Sequence, residues 1–316
     1  MTRVVVLDDY QAIAGRYAHW DRLPDASVEF VTDHVTDRTA LVGLLRGADV
    51  VVAMRERTPF PADLLAALPD LRLLVTTGMR NAAVDVAAAR AAGITVCGTG
   101  APQGPAAELT WALLLALVRQ IPAEDAAVRA GGWQHTVGTS LAGRTLGLMG
   151  LGRLGQRVAR MGQAFEMDVL AWSQHLEPDF ARSLGVEPVT KTELLRRADV
   201  VSLHLRLSDR TRGVVGADEL ALMKPTAYLI NTSRGPLVDE AALVTALTSG
   251  RIAGAGLDVF DVEPLPPDHA LRSAPRTVLT PHIGYGTHDT YQQYFTDAVE
   301  DIEAYLAGQP VRVLAD

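Results

Sequence analysis

Short runs of aliphatic and β-branched residues alternate with Ala/Leu-rich stretches along nearly the whole chain, and this alternation limits the folds open to it. VVVL (4–7), VVAM (51–54), LLVT (73–76) and ITVC (94–97) are short and continuously apolar, as strands buried on both faces are. Helical patterns such as PADLLAAL and AAVDVAAARAAG lie between them. Strand, helix and strand in succession require crossover connections, and crossovers make the strands parallel. The prediction is a doubly wound α/β fold with helices on both faces of a parallel sheet.

One segment breaks the rhythm. AAELTWALLLALVRQ (106–120) is shorter than the ~20 apolar residues of a membrane span, and it reads as a helix packed between two domains. The alternation then restarts with TLGLMG, DVLAW, DVVSLHL, AYLINT, IAGAGLDVF and TVLTPH, a second unit of six predicted strands. The amphipathic stretch THDTYQQYFTDAVEDIEAYLAG has no strand after it to serve, so its apolar face is expected on the first domain. Two doubly wound parallel-sheet domains follow: a discontinuous one over 1–101 and 288–316, and one over 102–287. A chain of 316 residues is long for a single core, which agrees.

Composition narrows the function classes. A net charge of −8 argues against nucleic acid as a partner, because neutralising phosphates needs a basic face. With no run long enough to span a bilayer and no secretory pattern at MTRVVVLDDY, the expected partners include no membrane and the expected location is the cytoplasm. The lone Cys97 excludes an internal disulfide and a cysteine metal cage. No metal is expected, since His282 and His288 have no third ligand at a recognised spacing and no H-E-x-x-H occurs.

RTLGLMGLGRLGQRVA (144–159) holds Gly150-x-Gly152-x-x-Gly155 directly after a predicted strand and at the start of a predicted helix. In that context the glycines have separate uses: Gly150 for a tight turn, Gly152 for close approach of a pyrophosphate, Gly155 for helix–strand packing. The helix N-terminus then offers free N–H groups to the phosphates. An NAD site normally carries an acidic residue at the end of the next strand. Here Ser173 takes that place, followed by the neutral Gln174, while Asp168 lies at the wrong end. The cofactor is NAD or NADP. A missing carboxylate removes repulsion against a 2′-phosphate, so the lean is to NADP, although no arginine follows directly to hold that group.

Three predicted strand ends carry further polar residues: INTSRGPLVDE (230–240), GLDVFDVEPLP (256–266) and LTPHIGYG (279–286). Carboxyl ends of parallel strands face the ligand crevice, so Arg234, Glu263 and His282 can converge there. Taken singly, they read as a turn cap, a solvated loop charge and a loop histidine. Together, beside a dinucleotide turn, they read as catalytic.

With these motifs the chain resembles the D-isomer-specific 2-hydroxyacid dehydrogenase family, over nearly its whole length, through GLGRLG, INTSRG–LVDE, GLDVFDVEPLP and TPHIG. The resemblance implies a flavodoxin-like substrate domain, a Rossmann dinucleotide-binding domain, and hydride transfer between a nicotinamide and a small 2-oxo or D-2-hydroxy acid. It makes Arg234 the catalytic arginine, His282 the acid/base and Glu263 its partner. It sets Asp258 on the nicotinamide side, and adds Arg153, Leu154, His204, Thr232 and Gly284 to the cofactor contacts. The loop TTGMRNAAVD (76–85) becomes a substrate-carboxylate loop with Gly78, Met79, Arg80 and Asn81 nearby, and MRERTPFP (54–61) becomes a second substrate loop with Arg55. For Arg55 and Arg80 a surface salt bridge is the plainer alternative. A homodimer is the family's expectation as well.

The chemistry suits these residue types. Reduction of a 2-oxo acid needs a proton at the carbonyl oxygen, which an imidazolium can give; a free imidazole titrates near ~6.5. A carboxylate beside it stabilises that cation and fixes which nitrogen faces the substrate. Arginine stays charged and can orient carboxylate and carbonyl together. The chain departs from the family at Tyr285, where glycine is common and the pocket can be narrowed, at Glu166 for glycine, and at Arg206 for proline. Two other readings stay open: a dehydrogenase of a hydroxyphosphonate or phosphorylated hydroxy acid, and a non-catalytic NAD(P)H-sensing regulator on the same fold.

Overall fold

The computed structural model describes residues 1–23 and 25–314. The chain divides into two units, Met1–Pro102 with Gly286–Asp316, and Gln103–Tyr285. Residues 315 and 316, the end of the expected first domain, lie outside the described residues.

The first unit holds a parallel sheet of β1 (Thr2–Val6), β2 (Ala26–Phe30), β3 (Val50–Ala53), β4 (Leu73–Thr76) and β5 (Thr95–Gly98). Its order is β2-β1-β3-β4-β5, the flavodoxin-type arrangement. The apolar runs predict four of these strands. They miss β2, an edge strand whose residues ASVEF are half-buried or exposed and so form no continuous apolar run. The central strands are fully buried, as continuous Val/Leu runs require. The His288–Leu306 helix lies against β4 and β5, burying Tyr294, Phe295, Ala298 and Ile302. The expectation of nothing strand-like after it needs correcting: Val313 makes an antiparallel bridge to Cys97, and Leu314 N–H donates to Val96 C=O at 2.8 Å.

The second unit holds β6 (Thr145–Met149), β7 (Asp168–Trp172), β8 (Glu187–Pro188), β9 (Val200–Leu203), β10 (Tyr228–Asn231), β11 (Gly254–Leu257) and β12 (Thr277–Leu279). All pair in parallel, in the order β12-β11-β10-β9-β6-β7-β8. The sequence predicts six strands and the sheet has seven. The extra one, β8, is two residues long at an edge, where Pro188 is tolerated because it lacks only an outward N–H.

The Pro105–Val118 helix, which reads from sequence as lying between domains, belongs to the second unit and packs there against β10, β11, β12 and the Arg153–Ala164 helix. Gly256 permits this, since a Cβ there would sit 3.2 Å from Leu113 and 2.9 Å from Ile230. Among the described residues no single helix is long and apolar enough to cross a membrane.

Register fixes what comes next. Trp172, Met149, Leu203, Asn231, Leu257 and Leu279 are matched in turn across β7, β6, β9, β10, β11 and β12. Six strands therefore release their following loops along one edge of the sheet. The order reverses between β6 and β9, the place where open α/β sheets form their crevice.

Candidate active site

Three of those loops carry Arg234, Glu263 and His282, which follow Asn231, Leu257 and Leu279. His282 has φ +52°, a left-handed backbone uncommon outside glycine. The loop is held there by Asp258, which is fully buried at the end of β11. Its Oδ1 accepts from Thr280 Oγ1 at 2.6 Å and Ile283 N at 2.8 Å, and its Oδ2 accepts from Gly284 N at 2.8 Å. Asp258 thus grips both sides of His282. Burial pushes its carboxyl above the usual carboxylate range, against the pull of those donors. Gly284 leaves little room for a side chain: a Cβ would lie 3.1 Å from the Asp258 carboxylate and 3.6 Å from Ala106.

Nδ1 of His282 lies 2.6 Å from Glu263 Oε2, and the ring and carboxylate are 20% and 30% exposed. Glu263 Oε1 accepts from Phe260 N–H at 2.9 Å, so both carboxylate oxygens are placed. Tyr285 meets the imidazole edge-on, centroids 5.8 Å apart. The Arg234 loop is stitched by Asn231, whose Nδ2 donates to Arg234 C=O at 2.9 Å while its Oδ1 accepts from Ser233 N–H at 3.0 Å. Ser233 Oγ donates to Leu203 C=O at 2.7 Å, tying that turn to β9. Arg234 itself is half-buried, with Nη1 on Ser233 C=O at 2.6 Å. The sequence gives no reason to single out Asn231, Ser233 or Thr280; each acts through a turn whose shape only the fold reveals.

At the switch point Gly150 has φ +106°, and a Cβ there would come within 2.6 Å of His204 C=O. At Gly155 a Cβ would be 2.2 Å from Gly150 C=O, so helix and turn touch directly. Gly152 is different: nothing lies within 4 Å of where its Cβ would be. It is also the N-cap of the Arg153–Ala164 helix and provides no side-chain cap. A helix opening with uncapped N–H groups at Arg153, Leu154 and Gly155 onto open space fits a pyrophosphate.

The other expected cofactor residues are placed as follows. Ser173 follows β7 and is half-buried, Gln174 is exposed, and Asp168 opens β7 at the far end. Thr232 Oγ1 lies 2.7 Å from Thr110 Oγ1 of the long helix. His204 pairs with Ser202 Oγ at 2.9 Å, and burial pushes its imidazole down to about 4, so it stays neutral at ordinary pH.

In the first unit, Arg55 has φ +52° and its Nη1 donates to Thr77 C=O at 3.0 Å across Gly78. Gly78 N–H is taken by Thr99 Oγ1 at 2.8 Å. Asn81 is also engaged inside its loop, donating to Arg55 C=O at 2.6 Å and Thr76 Oγ1 at 2.8 Å. Met79 and Arg80 are exposed, and Arg80 makes no ion pair among the described residues. Cys97 is buried with its thiol pushed up to about 12, which removes it as a nucleophile. No cluster of three or more His, Cys, Asp or Glu suited to a metal occurs among the described residues.

Comparison with known proteins gives a consistent result. Residues 111–284 match the family described as D-isomer specific 2-hydroxyacid dehydrogenase, NAD binding domain. A D-3-phosphoglycerate dehydrogenase of Mycobacterium tuberculosis H37Rv is 39% identical over 92% of this chain and 56% of its own length, so the chain spans about half of that relative. A glyoxylate reductase of Aeropyrum pernix is 37% identical over 92% of this chain and 86% of its own. A phosphoglycerate oxidoreductase crystal structure from Vibrio cholerae superposes with a TM-score of 0.93 at 37% identity, covering 98% of this chain and all of the other.

Proposed function

Because the chain belongs to the D-isomer-specific 2-hydroxyacid dehydrogenase family, an NAD(P)-linked class of oxidoreductases acting on CH–OH donors, we propose that His282, Glu263 and Arg234 carry its reaction. The observation that carries the proposal is the 2.6 Å contact between His282 Nδ1 and Glu263 Oε2, on a sheet edge shared with Arg234. Because Nδ1 is engaged, Nε2 is the nitrogen left to serve a substrate. In reduction it gives its proton to the carbonyl oxygen of a small 2-oxo acid, and Glu263 steadies the imidazolium beforehand. In oxidation the neutral ring takes that proton back. Arg234 orients the acid and stabilises charge growing on its oxygen. When bound, the nicotinamide supplies or accepts the hydride. The Gly150–Gly155 turn and the N–H groups of residues 153–155 hold the pyrophosphate. The test is consumption of NADH and NADPH against glyoxylate, hydroxypyruvate, pyruvate, 2-oxoisovalerate, phenylpyruvate and phosphonopyruvate. Cofactor binding with no turnover of any acid would favour a sensing protein instead.

A phosphorylated or phosphonate substrate is the second reading, favoured by the exposed Arg80 and by the relative that is named for D-3-phosphoglycerate. Turnover of D-3-phosphoglycerate or phosphonopyruvate in preference to glyoxylate would decide for it.

For the cofactor we infer a tilt toward NADPH, because Ser173 brings no carboxylate to the 2′ position. Ser173→Asp is expected to weaken NADPH relative to NADH by about tenfold or more through like-charge repulsion. Fluorescence titration of both cofactors checks this, and an unchanged ratio would remove Ser173 from the discrimination.

The expected homodimer is proposed on the 121–137 segment, where Ile121, Val128, Trp133 and Val137 are 55%, 51%, 75% and 92% exposed. Large apolar side chains left bare in this number mark an interface. Trp133→Glu should convert a dimer to monomers in light scattering; a wild-type monomer would end the idea. A cytoplasmic location is proposed with it, since the chain's single thiol is buried and unpaired.

A further inference from the structure

Behind the His282–Glu263 couple stands a second histidine–carboxylate pair that the reaction as described does not use. Glu240, the first residue of the Glu240–Thr248 helix, accepts from Asp261 N–H through Oε1 at 2.8 Å and meets His269 Nε2 through Oε2 at 3.2 Å. His269 is fixed at its other nitrogen too, because Nδ1 accepts from Leu271 N–H at 3.3 Å. That leaves Nε2–H as the donor to Glu240. The two consecutive amides Phe260 N–H and Asp261 N–H are thus claimed by different glutamates, Glu263 for the first and Glu240 for the second. Gly235 packs closely on the same peptide, since a Cβ there would fall 2.0 Å from Phe260 C.

The Phe260–Glu263 turn is anchored at its first residue by the buried Phe260 side chain, and beyond that residue it depends on hydrogen bonds. Asp261 and Val262 are exposed, and no strand or helix includes the turn. The Glu240 carboxylate is 12% exposed, a costly place for an acid with only a backbone amide and one imidazole for company. Burial pushes its carboxyl upward, the Asp261 N–H and the His269 ring oppose this, and the Asp261 and Glu263 charges add to it. Arg212 and Asp239 complete the charges facing Asp261, and Asp268 lines the same groove.

We propose that Glu240 and His269 form a positioning pair, holding the Phe260–Glu263 turn so that Glu263 meets the His282 imidazole. This rests on His282 being the acid/base. Glu240 touches no reacting atom; it acts through the turn that carries Glu263. Without it the turn keeps one of its two amide clamps, Glu263 drifts, and the imidazolium loses its steadying carboxylate.

The experiment compares pH profiles of kcat/KM for reduction, with cofactor affinity and Tm, across wild type, Glu240→Ala, Glu240→Gln, His269→Asn and His282→Ala. Glu240→Ala is expected to lower kcat about tenfold, as a small misplacement of a positioned group does. Its alkaline limb should move to lower pH with cofactor affinity retained. Glu240→Gln keeps an acceptor for Asp261 N–H and should recover most of kcat. Should Glu240→Ala fail to fold, His269→Asn carries the test, since that side chain is 26% exposed and asparagine can still cap Leu271. A wild-type profile in His269→Asn, or losses confined to Tm in the Glu240 variants, overturns the proposal. Wild-type turnover in His282→Ala overturns the acid/base reading and the positioning pair with it, a result distinct from either.

Discussion

Replacing His282 by alanine is expected to cut kcat by about 10²–10⁴-fold, the usual worth of a positioned acid/base, equivalent to roughly 3–5 kcal/mol of barrier. The loss should fall on turnover and spare cofactor binding. The phosphate turn lies at β6, and β9 and β10 separate it from β11 and β12, which carry the histidine loop. The variant should also fold. Asp258 grips this loop through Thr280 Oγ1 and the Ile283 and Gly284 amides, none of which needs the imidazole. Alanine accepts φ +52° at modest cost, as histidine already does there. Residual activity should remain, because Arg234 and the bound cofactor still align the acid while water supplies the proton. Stopped-flow single turnovers with the best acid of the panel, together with fluorescence titration of the cofactor, separate the two effects. Equal turnover in variant and wild type would mean that the 2.6 Å His282–Glu263 contact is only structural.

Strands buried on both faces were legible in the sequence, as was the half-buried edge strand β12 through its TVL run, while the edge strands β2 and β8 were not. VVVL and LLVT declare themselves because nothing polar interrupts them, whereas β2 and β8 sit at sheet edges and carry Ser, Glu and Pro. The same rule explains the site. Arg234, Glu263 and His282 stand out as candidates because their types suit proton transfer and because predicted strand ends gather on one edge. What could not be read is which groups hold them there. Asp258 reads as a cofactor contact from the family resemblance, and in the fold its carboxylate grips the His282 loop. Asn81 and Gly78 read as substrate contacts, and in the fold the Asn81 side chain and the Gly78 amide bond within their own unit. Such roles depend on hydrogen bonds between segments tens of residues apart, which no local pattern encodes.

Gly235→Ala should be nearly as damaging as loss of the histidine, for a reason that is steric and not chemical. A Cβ at this position would stand 2.0 Å from Phe260 C, 2.2 Å from its O and 2.4 Å from Asp261 N. All three are backbone atoms, so no rotamer change can relieve the clash. The turn has no left-handed requirement at Gly235; proximity alone demands glycine. Alanine must push apart the two loops that carry Arg234 and Glu263. Displacing positioned groups by about 1 Å can cost on the order of 10²-fold in rate. The expected result is a fall of that size in kcat/KM, with a stability loss at or above the upper end of the ~1–3 kcal/mol typical of overpacking. Cofactor affinity should fall far less than turnover, since the Gly150–Gly155 turn leaves from a different strand and only Thr232 of the expected cofactor contacts lies on the displaced Arg234 loop. Gly43→Ala makes the control: it sits in the Arg38–Leu45 helix with nothing within 4 Å of its Cβ, and should be neutral or slightly stabilising. Melting curves and kcat/KM for both variants decide the matter. A Gly235→Ala enzyme with wild-type kinetics would mean that the two loops move apart without disturbing catalysis, and the close packing of Gly235 on the Phe260 peptide would lose its claim to function.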